Sequence, residues 1–338
     1  MSSKFTVMLC VHRPPAMLAF AIESVLWQSH ADFELFVVCD GAPRETIACA
    51  EVFAARDPRV RVFDFPKGER IGEAHRHNVL AQATGVFVAH IADDDLWFPD
   101  HLKELAALLA DVEFGNLVMT TIAPDGTFGF HPGDLADPAT CERMQRARWN
   151  FFGPCVAGYR LATYRRLPVG WSPAPPDVWS DLHMWRKFLR LDGISAGTRF
   201  SVQSISFRQG HRGDVTLELR HTESERWFKL ICDPQQRARL GEEIWAAMAR
   251  QFAAATNQSL MRNETIEEMN SRAKELKGQV LDRDLELARL REKMAVLDAE
   301  LDRQRKRIVE RDAELARRKN KIIERDNALA RLRQKPEK

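Results

Sequence analysis

Over its first 120 residues the chain alternates short β-rich runs with amphipathic helical stretches, and that alternation leaves few folds open. Residues 5–10, 33–39, 60–63, 86–91 and 117–121 read as strands, and 16–28, 44–56, 72–83 and 100–110 carry helical spacing between them. Strands separated by helices of this length imply a mostly parallel sheet with both faces covered, an α/β architecture. Ligands of such sheets bind beyond the carboxyl ends of the strands. Asp40 lies just past one such end and Asp93 past another, so the two are expected to face a common crevice.

Asp93, Asp94 and Asp95 stand between the apolar run at 86–91 and Leu96-Trp97-Phe98-Pro99-Asp100. Three adjacent carboxylates repel one another unless a cation or hydrogen-bond donors compensate, and oxygen ligands suit Mg²⁺ or Mn²⁺. The plainer alternative is a solvated acidic turn with Asp100 capping the next helix.

A chain of 338 residues can bury a sizeable core, and the length prior gives about two domains. Formal charge is +2, but residues 261–338 carry 22 Lys+Arg against 17 Asp+Glu, which leaves the rest slightly acidic. The basic character sits in the tail, and nucleic-acid binding is not expected. The six cysteines form no Cys-x-x-Cys pair and several lie in apolar runs, which fits a reduced, cytoplasmic setting. Met1-Ser2-Ser3-Lys4 leads directly into a strand-like run, so no signal peptide is expected. No apolar stretch approaches spanning length, so any contact with the inner face of the cell membrane is expected to be peripheral.

Between residues 124 and 176 the pattern turns to Gly, Pro and aromatics, suggesting hairpins and loops that wall an acceptor site. A helix is expected at 178–191, strands at 197–202 and 204–207, a helical stretch at 223–255 and a junction at 256–259. The tail differs in kind. Stepping by seven from Ile266 gives Ala273, Val280, Leu287, Met294, Leu301, Ile308, Leu315, Ile322 and Leu329, an unbroken apolar series that predicts a coiled coil. The companion positions are mixed, with Met269, Leu276, Leu290, Leu297 and Leu332 apolar but Arg283, Gln304, Arg311, Arg318 and Arg325 polar. Residues 308–317 are echoed at 322–331, two heptads apart, as duplication of a coiled-coil unit would leave. A single charged helix held by pairs such as Glu314 with Arg318 is the alternative.

In order and spacing, Phe5-Thr6-Val7-Met8-Leu9-Cys10, Ala21-Ile22-Glu23-Ser24-Val25-Leu26-Trp27-Gln28, residues 32–41 ending in Asp40-Gly41, and Ala83-Thr84-Gly85 before the three aspartates resemble the family 2 glycosyltransferases. The resemblance covers roughly residues 4–120. Gly153-Pro154-Cys155 and Ser180-Asp181-Leu182-His183-Met184-Trp185-Arg186 echo the later part of the spore-coat polysaccharide type. It implies a GT-A (Rossmann-like) nucleotide-sugar-binding domain at 1–222, a helical connector at 223–260 and a coiled-coil oligomerisation region at 261–335.

Carried over residue by residue, the resemblance makes Asp40 the acceptor for the ring N–H of a pyrimidine nucleotide, with Val11 near the base. Asp93 would reach the ribose, and Asp94 and Asp95 would supply the metal and diphosphate contacts; three carboxylates in a row leave open which of them ligate. Arg76 stands where the family often has Arg-Asn, here Arg76-His77, and would suit the diphosphate. The family's common Asn after the first strand is His12 here. Asp181 would be the general base that removes the acceptor hydroxyl proton, and His211 resembles a late histidine that helps hold the metal. An Asp-Gly turn at Asp40, a surface arginine at Arg76, an N-cap at Asp181 and a merely exposed His211 are the structural alternatives.

The function implied is an inverting, metal-dependent transfer of a sugar from a UDP- or dTDP-linked donor to a hydroxyl of a glycan or glycolipid, in cell-surface polysaccharide assembly. Mn²⁺ or Mg²⁺ is the implied cofactor and a homo-oligomer the implied assembly. The rival reading is a non-catalytic scaffold carrying a decayed transferase domain, and the clustered carboxylates argue against it. A nucleotidyltransferase would call for a Gly-rich phosphate loop near the first strand, which Val11-His12-Arg13-Pro14-Pro15 is not. Donor sugar, acceptor, linkage, oligomer number and helix direction are not fixed by the sequence.

Overall fold

The computed structural model describes residues 4–207 and 212–333. Its chain divides into two units, the first ending at Ala254 and the second beginning at Ala255.

The first unit is built on a seven-stranded sheet in the order β10-β6-β9-β4-β1-β2-β3. The strands are β1 (Phe5–Val11), β2 (Phe33–Asp40), β3 (Val60–Phe65), β4 (Phe87–Ala92), β6 (Phe114–Leu117), β9 (Ala157–Arg160) and β10 (Ala196–Arg199). All run parallel except β9, which lies antiparallel between β4 and β6. Every residue of β2 and nearly every residue of β1 is buried, as expected of strands covered on both faces. Helices α1 (Leu18–Leu26), α2 (Arg44–Arg56), α3 (Glu73–Leu80) and α4 (His101–Asp111) form the crossovers. The expected α/β architecture and its first four strands and helices are present, with ends shifted by at most three residues.

Three expectations fail for local reasons. The run at 117–121 is not one strand: β6 leaves the main sheet at Leu117, and β7 (Thr120–Ile122) pairs with β8 (Phe128–Phe130) around an Asp125-Gly126 turn. The region 124–176 is more than hairpins and loops, because it also supplies α5 (Pro138–Arg146), α6 (Leu161–Arg165) and β9, which completes the central sheet. The helix expected at 223–255 is two. α8 (Leu217–Cys232) stops at Asp233, which is extended before Pro234, and Asp233 Oδ1 then accepts the N–H groups of Gln235 and Gln236 to start α9 (Pro234–Arg333).

A second apolar cluster sits apart from the sheet core. It joins Leu96 and Phe98, Ile122, Phe130, Ile205 and Phe207 to Trp227 and Ile231 of α8 and to Leu240 and Ile244 of α9. Its backbone frame is the short pair β5 (Leu96–Trp97) with β11 (Ser204–Ile205). This cluster fixes α8 against the segment that follows the three aspartates. The 223–254 part of the expected connector thus counts with the first unit.

In the second unit α9 is a continuous helix, and the expected junction at 256–259 lies within it. From Val280 to Leu329 the residues of the apolar series are 49–63% exposed in the single chain. No helix among the described residues is long and apolar enough to cross a membrane.

Candidate active site

The register of β4, β1 and β2 aligns Cys10 with Ala92 and with Val38, and Val11 with Cys39. Asp40 and Asp93 therefore end the strands on either side of β1, about 10 Å apart in strand spacing. Neither aspartate lines the cavity that holds Arg76 and Asp181. Val11 closes β1 with its side chain packed into the apolar core, 1% exposed.

Asp93, Asp94 and Asp95 are all buried, so they are not a solvated turn. Arg13, just past β1, donates from Nε and Nη2 to both oxygens of Asp93 at 2.6 and 2.5 Å, and Nη2 also pairs with Asp94 Oδ1 at 2.8 Å. Arg220 of α8 donates to Asp94 Oδ2 at 2.8 Å. Asp95 turns the other way and accepts the backbone N–H of Phe207 and the Ser206 hydroxyl, each at 3.2 Å. Burial, joined by the charge of Asp94, pushes the Asp95 carboxyl up to about 7. Burial also raises Asp94, against the pull of Arg13. Two guanidinium groups thus compensate the carboxylates of Asp93 and Asp94. Asp100 stands at the N-cap of α4 as expected, but its side chain makes no cap bond and instead accepts from Ser29.

Asp40 organises the loop after β3. Lys67 Nζ donates to Oδ2 and the Gly68 N–H to Oδ1, both at 2.6 Å, and the His75 ring stands 3.5 Å away. Each carboxylate oxygen keeps a second lone-pair direction for another donor.

Arg76 and Asp181 share the walls of a cavity of about 800 Å³ with Met119, Phe151, Phe152 and Trp179. Arg76 is no surface arginine, being 8% exposed. Its guanidinium lies 4.8 Å over the Trp171 ring and donates one N–H to the Ile71 carbonyl, while among the described residues Nε has no hydrogen-bond partner and no carboxylate pairs with the group. A buried cation short of an acceptor and open to a cavity is a site for an anion. Asp181 lies in the first turn of α7 (Ser180–Leu189), one residue inside the helix; the N-cap is Trp179. It accepts the Leu182 N–H at 2.7 Å and the Asn150 amide at 2.9 Å. Burial raises its carboxyl above the ordinary range despite these donors. Trp179 contributes an apolar wall to the cavity, and Trp185 is buried in the core.

No three side chains of metal-ligating type converge among the described residues, and His211 lies outside them. Asp94 and Asp95 offer hard oxygens from adjacent positions. Hard oxygens suit a small divalent cation that completes its shell with phosphate oxygens and water, but Asp94 is held by Arg13 and Arg220 and Asp95 by Ser206 and Phe207, so a cation would have to displace some of these partners.

Arg13, Lys67, Asn150 and Arg220 were not singled out by the sequence reading. Arg13 had a usable signal, a cation two residues past the strand between those leading to Asp40 and Asp93. Arg220 had none, because its partner is 126 positions away.

Residues 6–167 match the model of glycosyl transferase family 2. A putative glycosyltransferase, EpsE, of Bacillus subtilis (strain 168) is 26% identical over 186 residues, 55% of this chain and 66% of that protein. An uncharacterized glycosyltransferase of Rickettsia felis is 30% identical over 102 residues, 30% of this chain. The chain spans 66% of the first relative's length and 16% of the second's. Among solved structures, S. aureus TarS 1-349 aligns with a TM-score of 0.49 at 16% identity, over 68% of this chain and 65% of that one.

Proposed function

We propose, from the premise that residues 6–167 are a family 2 glycosyl transferase domain, that this chain moves a sugar from a nucleotide diphosphate donor to an acceptor hydroxyl with inversion. The observation that carries the reading is the cavity shared by Arg76 and Asp181, an unpaired buried cation beside a carboxylate of raised basicity. Asp181 takes the proton of the acceptor hydroxyl as that oxygen bonds to the anomeric carbon and the bond to the diphosphate breaks. Arg76 holds the diphosphate, whose charge grows as it departs. Asp40 accepts the ring N–H of a pyrimidine beside Val11, and Asp93 reaches the ribose.

Asp94 and Asp95 would hold Mn²⁺ or Mg²⁺, which when bound neutralises charge on the departing diphosphate. His211 is proposed to assist them. The acceptor proposed is a glycan or lipid-linked glycan of a cell-surface polysaccharide. The tail is proposed to pair with its own copies, and its basic end, 303–338, to touch an anionic membrane surface from the cytoplasmic side.

The test is a donor screen on the full chain, reading nucleotide diphosphate release and acceptor modification with and without Mn²⁺. Transfer from a pyrimidine nucleotide sugar supports the reading. Failure of every donor to react, together with no binding of UDP, dTDP or GDP by calorimetry, rejects it in favour of a scaffold.

A further inference from the structure

The charges flanking the apolar series of the second unit follow an order that selects a partner and its register. In a two-stranded parallel coil, the residue before each apolar seam position faces, on the other helix, the residue five further along. In a pair of identical chains aligned without offset, Glu286 then meets Arg291 of the second copy, Lys293 meets Asp298 and Glu300 meets Arg305. Arg307 meets Asp312, Glu314 meets Lys319 and Lys321 meets Asp326. Nearer the start of the series Arg272 meets Lys277, whereas each of these six contacts joins opposite signs. The signs alternate from heptad to heptad, so a slip of one heptad turns all of them into like-charge contacts.

The apolar content points the same way. Parallel pairing stacks each residue of the series from Ile266 to Leu329 on its own copy, and those layers stay wholly apolar. Parallel pairing also stacks Arg283, Gln304, Arg311, Arg318 and Arg325 each on its own copy and so confines them to separate layers, whereas antiparallel pairing puts each of them into a layer with an apolar residue. A two-stranded seam also lets these side chains reach water along their stems, whereas three or more helices would enclose them. Arg318 is already held by Glu314 of its own helix at 2.8 Å.

We infer that the second unit pairs with a second copy of this chain as a parallel, in-register, two-stranded coiled coil. The inference rests on the proposed self-pairing of the tail, and goes beyond it in fixing direction, register and number.

The test uses the full chain carrying Leu301→Cys or Ile322→Cys, oxidised gently, with disulfides located by mass spectrometry so that the native cysteines are told apart. Light scattering should give the mass of two chains, with 301–301 and 322–322 bonds. In an antiparallel pair centred between Met294 and Leu297, position 301 would lie roughly 16 Å along the axis from its counterpart, too far to bond. A dimer without these self-bonds therefore overturns the direction while sparing the self-pairing, and a monomer at all concentrations overturns both. A mass of three or more chains overturns the number.

A second arm reads the charge order. Glu300→Lys with Glu314→Lys should weaken dimerisation about tenfold or more, and adding Arg305→Glu with Lys319→Glu should restore it. Absence of restoration would show that the charge order does not set the register.

Discussion

Arg220 Nη2 donates to Asp94 Oδ2 at 2.8 Å, so a helix outside the family-matched segment holds the charge of the acidic turn. α8 reaches that position because Trp227 and Ile231 anchor it in the second apolar cluster. The acidic turn thus has a resident cation on each side, Arg13 and Arg220.

Arg220→Gln should therefore destabilise the metal-free protein. Removing one partner of a buried pair costs about 3–5 kcal/mol, and Arg13 remains to hold Asp94, so the loss should lie at the low end. Mn²⁺ should raise the melting temperature of the variant more than that of the wild type, since Asp94 has one cation fewer to release. Equal Mn²⁺-induced shifts in the two proteins would show that Asp94 is not a ligand.

Arg76→Met should separate binding from stability. The guanidinium rests on Trp171 with Nε unpaired, so a thioether of similar length loses little packing and removes a desolvated charge. The melting temperature should stay level or rise. Affinity for UDP should fall roughly 10- to 100-fold, the worth of a charge-assisted contact. Unchanged UDP affinity by calorimetry would remove Arg76 from the diphosphate site.

Gly72 has φ +71°, and a Cβ there would stand 2.6 Å from the carboxyl carbon of Asp40. Gly72→Ala therefore combines the strain of a left-handed backbone with displacement of the carboxylate that orders Lys67 and Gly68. Pyrimidine nucleotide affinity should drop by more than tenfold, and stability by about 1 kcal/mol or more. A variant that binds nucleotide normally would show that Asp40 does not contact the base.

His101 stacks on Trp97 at 4.0 Å and shares a hydrogen bond between Nδ1 and the Gln203 carbonyl, while buried Nε2 has no partner among the described residues. Only the neutral ring with its proton on Nδ1 satisfies that arrangement, and burial lowers its pKa to about 3. Because the folded value lies below the ordinary value of about 6.5, this contribution is complete above pH 6.5 and lost as pH falls toward 3. At pH 5 the loss is about 2 kcal/mol. Asn at position 101 keeps a donor toward Gln203 and has nothing to protonate, so the decline in unfolding free energy between pH 7.5 and 5 should be shallower. Identical slopes for both proteins would contradict a neutral His101.

The parts of the fold legible in the sequence were those carried by local periodicity. β1 to β4 and α1 to α4 announce themselves because each crossover is continuous in sequence, and Asp40 and Asp93 follow from where strands end. β9 was hidden. Its four residues, Ala157-Gly158-Tyr159-Arg160, have little β character of their own, and they form a strand because β4 and β6 leave a gap between them. The site divides in the same way. Its carboxylates were readable as an acidic run, but the arginines that neutralise them come from a loop and a helix brought in by tertiary packing. Arg76 read as either a surface or a phosphate residue until Trp171, 95 positions later, proved to lie under it.

Asp181→Asn tests the catalytic assignment most directly. The amide keeps the shape of the side chain and its place beside Asn150 and the Leu182 N–H, but it cannot accept a proton to become an acid. Donor binding, which involves Arg76 and Asp40 instead, should be nearly unchanged, while turnover falls by about 10²- to 10⁴-fold. The pH profile adds an independent reading. Asp181 works as a base only when ionised, and burial raises its pKa, so the wild-type rate should climb with pH through a limb lying above the ordinary carboxylate range. The residual rate of the variant should lack that limb. If the variant keeps most of its turnover, or the limb survives the substitution, another group takes the acceptor proton and Asp181 is a structural carboxylate of α7.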